Sequence, residues 1–125
     1  MATKLAERIR EALKSYLEPD EELRSVGQVR SGSLLLGGFV FAKFWYVGIT
    51  KKRAIFVRLT ALSKPDENMR FTTPLNNVKL DGKRIAVITP QEGMPQKFRF
   101  HFGARRATGL DIDEFKEALT TPEPV

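Results

Sequence analysis

The chain contains no cysteine, one histidine and one tryptophan in 125 residues. Without cysteine there is no disulfide framework, no thiolate metal site and no thiol nucleophile. A lone histidine removes every site that needs two imidazoles. Long hydrophobic runs are also missing. The most apolar stretch, Leu34 to Ile49, is 16 residues long, holds three glycines and is broken by Lys43. A spanning helix needs about 20 consecutive apolar residues, so this stretch reads as core strand plus loop. The N-terminus turns charged at Lys4, Glu7 and Arg8 and lacks the apolar core of a secretion signal. A cytoplasmic location, with peripheral membrane attachment left open, is the expectation.

Acids are scarce in one region only. Residues 24–106 carry 16 Lys or Arg and four Asp or Glu, a net of +12, whereas the two flanks together carry five basic and eleven acidic residues, a net of −6. The overall charge of +6 therefore hides a basic middle between acidic ends. Either the acidic flanks lie across the basic body and neutralise it, or the middle presents a field that attracts anions.

What is present fits one domain over residues 1–125, since 42% of the residues are hydrophobic and a core is affordable at this length. From Lys4 to Leu17, apolar Leu5, Ile9, Ala12, Leu13, Tyr16 and Leu17 recur at helical spacing. An amphipathic helix is expected over 3–18, with Thr3 as N-cap and Pro19 as the stop. Its stripe covers either the protein's own body or a partner. Over 23–102 the period changes to two and seven strands are expected: Leu23 to Arg30, Phe44 to Thr50, Arg53 to Thr60, Met69 to Thr73, Leu75 to Leu80, Arg84 to Thr89 and Lys97 to Phe102. Lys51–Lys52 and the turn at Asp81–Gly82 are hairpin candidates. In the last strand Phe98, Phe100 and Phe102 should point inward and Lys97, Arg99 and His101 outward. A second helix is expected over 111–120, where Asp111 and Glu114 have capping-box spacing. The fold class is thus mainly β (α+β), an antiparallel seven-stranded barrel closed by a C-terminal helix and carrying an extra N-terminal helix.

Three stretches resemble a known family. Tyr46–Val47–Gly48–Ile49–Thr50–Lys51–Lys52–Arg53–Ala54–Ile55–Phe56 is similar to a hairpin of bacterial pleckstrin-homology-like (PH-like) and GRAM-type domains. Phe71 to Val78 resembles a later stretch of that family, with Thr73 in place of an aliphatic residue. Leu17 to Leu23 resembles its lead-in, with Asp20 where glycine is usual. The resemblance implies the seven-stranded superfold with its C-terminal helix, and a binding or assembly role rather than chemistry. Phosphoinositide-binding relatives use a basic loop between the first two strands. Here the segment between Arg30 and Lys43 has no charge, which argues against that site. It offers Leu34, Leu35, Leu36, Phe39, Val40 and Phe41 instead, for a core strand, an oligomer contact or a membrane-dipping loop.

No catalytic constellation emerges. His101 lies in an alternating strand, and the acids sit mostly in helices or turns. Asp111, Asp113 and Glu114 suit a helix N-terminus better than a cation, and Gly32, Gly37 and Gly38 fit no phosphate-cradling motif. The protein is read as a non-enzyme without metal or cofactor. The residues expected to meet an anionic partner are Lys51, Lys52, Arg53, Lys83, Arg84, Lys97, Arg99, Arg105 and Arg106. A homo-oligomer is expected, with a protein partner or an anionic membrane surface as the next option. Nucleic acid is the rival partner; it would need an exposed aromatic, which Trp45 or Tyr46 should supply because neighbours in a strand face opposite ways.

Overall fold

The computed structural model describes residues 4–31, 43–60, 64–81, 84–87, 96–102 and 105–120. In chain order these form α1 (Leu5–Lys14), β1 (Ser25–Ser31), β2 (Lys43–Ile49), β3 (Arg53–Leu59), β4 (Pro65–Pro74), a 3-10 turn (Leu75–Asn77), β5 (Val78–Asp81), β6 (Arg84–Val87), β7 (Gln96–Phe100), α2 (Arg105–Thr108) and α3 (Ile112–Thr120). All seven strands join one antiparallel sheet in the order β4-β3-β2-β1-β7-β6-β5.

β4 and β5 are the two edges of this sheet, yet only Leu75–Asn77 separates them in sequence. Four residue steps reach at most about 14 Å, whereas seven flat strands would hold their outer members about 29 Å apart. The sheet must therefore coil. The inner rings show it directly: Phe71 of β4 lies 6.2 Å from Phe98 of β7, although four strand spacings, about 19 Å on a flat sheet, separate those strands. Phe56 stacks on Phe71 at 4.7 Å, and Trp45 meets both Phe71 and Phe98 edge-on. Among the described residues no ladder joins β4 to β5, so the sheet is coiled but open where a closed barrel was expected.

The concave face takes α3. Its Phe115 is fully buried against Phe102, ring centres 5.1 Å apart. A β-carbon on Gly27 would fall 2.4 Å from the Phe102 ring and 3.0 Å from that of Phe115, so glycine permits this approach. The helix starts as expected, with the Asp111 Oδ1 accepting from the backbone N–H groups of Asp113 and Glu114. The convex face takes α1, whose Ile9 and Leu13 are fully buried. Leu13 lies over Gly48, where a β-carbon would come within 2.7 Å of it. The amphipathic stripe thus packs on the protein's own sheet, next to β1 and β2.

Several boundaries differ from the sequence expectation. α1 ends at Lys14, ahead of Pro19, because the chain turns at Tyr16 and Leu17, whose N–H groups bond to Leu13 and Lys14. Lys4 precedes the helix without a side-chain cap, and Thr3 lies outside the described residues. β4 begins at Pro65, four residues ahead of the expected start at Met69; an edge strand tolerates proline at its first position, where no ladder donor is needed. Leu75–Asn77 is a turn instead of a strand, since it must carry the chain from one edge to the other. The short α2 had no periodic signal. Replacing Gly48 by valine should lift Leu13 and lower stability by about 1–3 kcal/mol, read as a lower urea midpoint; an unchanged midpoint would contradict this seat for α1.

Candidate functional site

Two basic regions stand at opposite ends of β1 and β2. The first is the β2–β3 turn. It lacks the usual Asn-Gly chemistry, and the buried Thr50 hydroxyl replaces it. Thr50 Oγ1 accepts from the backbone N–H groups of Lys52 (3.4 Å) and Arg53 (3.2 Å) and donates to the Arg53 carbonyl (3.2 Å). The Thr50 N–H closes the hairpin on that same carbonyl at 2.9 Å. Arg53 then reaches out of the turn to the segment after α1. Its Nε donates to Glu21 Oε2 at 2.7 Å, and its Nη2 donates to Glu21 Oε1 at 2.6 Å and to the Tyr16 carbonyl at 3.2 Å.

This fork is shielded, with side chains 25% (Arg53) and 16% (Glu21) exposed. The hydrogen bonds from Arg53 hold the Glu21 carboxyl below its ordinary range despite opposing desolvation, and the same pairing raises the guanidinium. Lys51 and Lys52 remain exposed and line a groove of about 620 Å³ with Glu18, Asp20, Glu21, Glu22 and Thr50. Acids therefore face these lysines across the groove, and Arg53 is committed to a carboxylate.

The second region is the convex face beyond the reach of α1. Pairing register places Arg30 of β1 opposite Arg99 of β7, and Arg99 opposite Arg84 of β6. Residues directly opposite share a face, so three arginine positions form a row across three adjacent strands. The row continues to Phe44 on one side, opposite Arg30, and ends on Asp81 on the other, opposite Arg84. Arg30 is half-buried and Arg99 exposed, and neither forms an ion pair among the described residues. The rings of Phe44 and His101 approach to 5.1 Å with a 58° tilt. They come from β2 and from the residue that follows β7, on either side of β1, and sit on the face that carries Arg30.

The expected basic set is thus divided. Arg99 and Arg84 fall in the row. Lys97 is registered against Ala86, one pleat along on the same face. Arg105 and Arg106 open α2, with Arg106 exposed. Lys83 and the segment Leu34, Leu35, Leu36, Phe39, Val40 and Phe41 lie outside the described residues. The expectation that Trp45 or Tyr46 faces solvent fails: they are 7% and 6% exposed, because the inner ring cluster covers one face and the convex face is also packed there. Arg30 and Phe44 were not anticipated. The alternation that puts Gly27 and Val29 inward already placed Arg30 outward, but only strand order brings it beside Arg99.

Among the described residues, no three His, Asp or Glu side chains gather in a metal-holding cluster, and no helix is long and apolar enough to cross a membrane. No protein-family model matches the chain, and no curated protein matches it.

Glu21→Gln should cost about 1.5–3 kcal/mol at neutral pH, the usual worth of hydrogen bonds to a charged group. A lowered folded-state pKa gives stabilisation that is complete above the ordinary value of 4.5 and lost as pH falls through the lowered value. Denaturant unfolding should therefore show the variant's deficit at pH 7 and little deficit in strong acid. A deficit that persists in acid would contradict the pairing as its cause.

Proposed function

We propose that the protein is a non-enzymatic PH-like binding and assembly module, a barrel plugged by α3 that presents a basic face to an anionic partner and associates with itself. The observation that carries the reading is the arginine row, in which Arg30 and Arg99 lie directly opposite each other. Like charges placed directly opposite one another weaken a sheet, and an anion on that face relieves the repulsion. The PH-like assignment is supported by where the three resembling stretches meet. Glu21 of the lead-in grips Arg53 of the hairpin, and the Leu75 N–H of the third stretch donates to the Lys52 carbonyl at 3.0 Å. The coil imposed by the Leu75–Asn77 link is the geometry from which a barrel closes.

His101, the single imidazole, is exposed with its ring against Phe44, which suits a contact residue better than a general base. Binding without chemistry, in the cytoplasm, is the role that follows. Self-association is assigned to Leu34–Phe41, on the strength of that segment's uncharged, apolar sequence.

Sedimentation should give a mass above the monomer that rises with concentration; a strict monomer at high concentration would remove the assembly role. Binding of an anionic partner should weaken as salt is raised and weaken further when Lys97 and Arg99 are changed to glutamine. Salt-insensitive binding, or binding indifferent to both changes, would contradict the basic-face reading.

A further inference from the structure

Resting on the basic-face reading, the geometry points to a single-stranded nucleic acid as the anionic partner, its phosphates on Arg30 and Arg99 and a base on the Phe44–His101 ring pair. Two independent features meet here. The first is charge: Arg30 and Arg99 are cross-strand neighbours with no ion pair among the described residues, whereas the Arg84 position is registered against Asp81. Guanidinium groups present fixed forks of donors that match phosphate oxygens. The second is the ring pair. Its two rings meet at 5.1 Å over β1, between the strands that carry Phe44 and Arg99. Because they are tilted by 58° and not stacked, Phe44 does not cap the exposed His101 ring face to face.

Cations alone would serve any polyanion. Aromatic rings set among arginines on an open sheet face add a platform for unpaired bases, and every base has a face to stack. A duplex keeps its base faces inside and gains nothing from the rings. A bilayer would gain from an aromatic tip that projects past the cations, but Phe44 is half-buried and packs against the core cluster. The fit is therefore to a single strand that crosses β2, β1 and β7 at the end that carries Phe44, Arg30 and Arg99.

The test titrates the full-length protein into fluorescein-labelled oligothymidylate across a salt series. The comparison probes are a duplex of equal length, inorganic polyphosphate, and vesicles of phosphatidylcholine with phosphatidylserine. Single strands should bind more tightly than duplex and polyphosphate. Arg30→Gln and Arg99→Gln should each lower the logarithmic salt slope by about 0.7. His101→Ala should weaken oligothymidylate binding by about 5-fold or more while leaving polyphosphate binding unchanged, and His101→Tyr should restore it. Phe44→Ala should act in the same direction; because Phe44 touches the core, the exposed His101 carries the decision. Equal affinity for polyphosphate with no effect of His101→Ala overturns the proposal and leaves a charge-only anion site. Vesicle binding that exceeds oligothymidylate binding and depends on Arg30 and Arg99 also overturns it, while preserving the basic-face reading. Failure to bind any of the four probes overturns both.

Discussion

The three-residue link Leu75–Asn77 joins the two outermost strands of a seven-stranded sheet, and this one connection dictates the shape of everything else. A flat sheet cannot satisfy it. Once the sheet coils, it acquires a concave face small enough for four aromatic rings to fill and a convex face too broad for one short helix to cover. Phe56, Phe71, Phe98 and Trp45 occupy the concavity, and α3 seals it through Phe115. α1 covers the convex face around Gly48. About four residues away along β2, on the same face, Arg30, Arg99, Phe44 and His101 gather.

The corner near Lys52 secures this arrangement. Thr50 organises the turn, Arg53 holds the chain after α1 through Glu21 and the Tyr16 carbonyl, and Leu75 is tied to Lys52. Arg70 adds a cation over the Tyr16 ring at 4.5 Å. The helix on the convex face, the central hairpin and the edge-to-edge link are thus fastened at one place. The charge split along the sequence finds its physical meaning here. Acids of the N-terminal flank neutralise the basic middle at this corner, most directly at Glu21–Arg53. At the opposite end of the same strands, Arg30 and Arg99 form no ion pair among the described residues.

Most of the fold was legible because its signals were local. Alternation marked β1, β6 and β7, and aromatic and β-branched content marked β2 and β3, with Phe98 and Phe102 inward and Arg99 and His101 outward as the pattern requires. Helical spacing marked α1 and α3, and the Asp111 cap lay where the capping-box spacing put it. The candidate site was legible only in part, because it is made by strand order. Nothing in the sequence says that β1 lies between β2 and β7, so Arg30 and Arg99, 69 positions apart, did not read as neighbours. Trp45 and Tyr46 misled for a related reason. Alternation predicts which way a side chain points, but both faces of β2 are covered at that height, so both rings are buried. Arg53 read as one more surface cation until its partner, 32 residues earlier, came into view.

The central claim is that the end of the convex face carrying Arg30 and Arg99 is where the partner sits. Backbone amide shifts of the full-length protein, followed by NMR during titration with oligothymidylate, test it most directly. The account predicts perturbations clustered at Arg30, Phe44, Arg99 and His101, with the turn at Lys51 and Lys52 unmoved. Perturbations confined to that turn, or none at any concentration of the oligonucleotide, would contradict it.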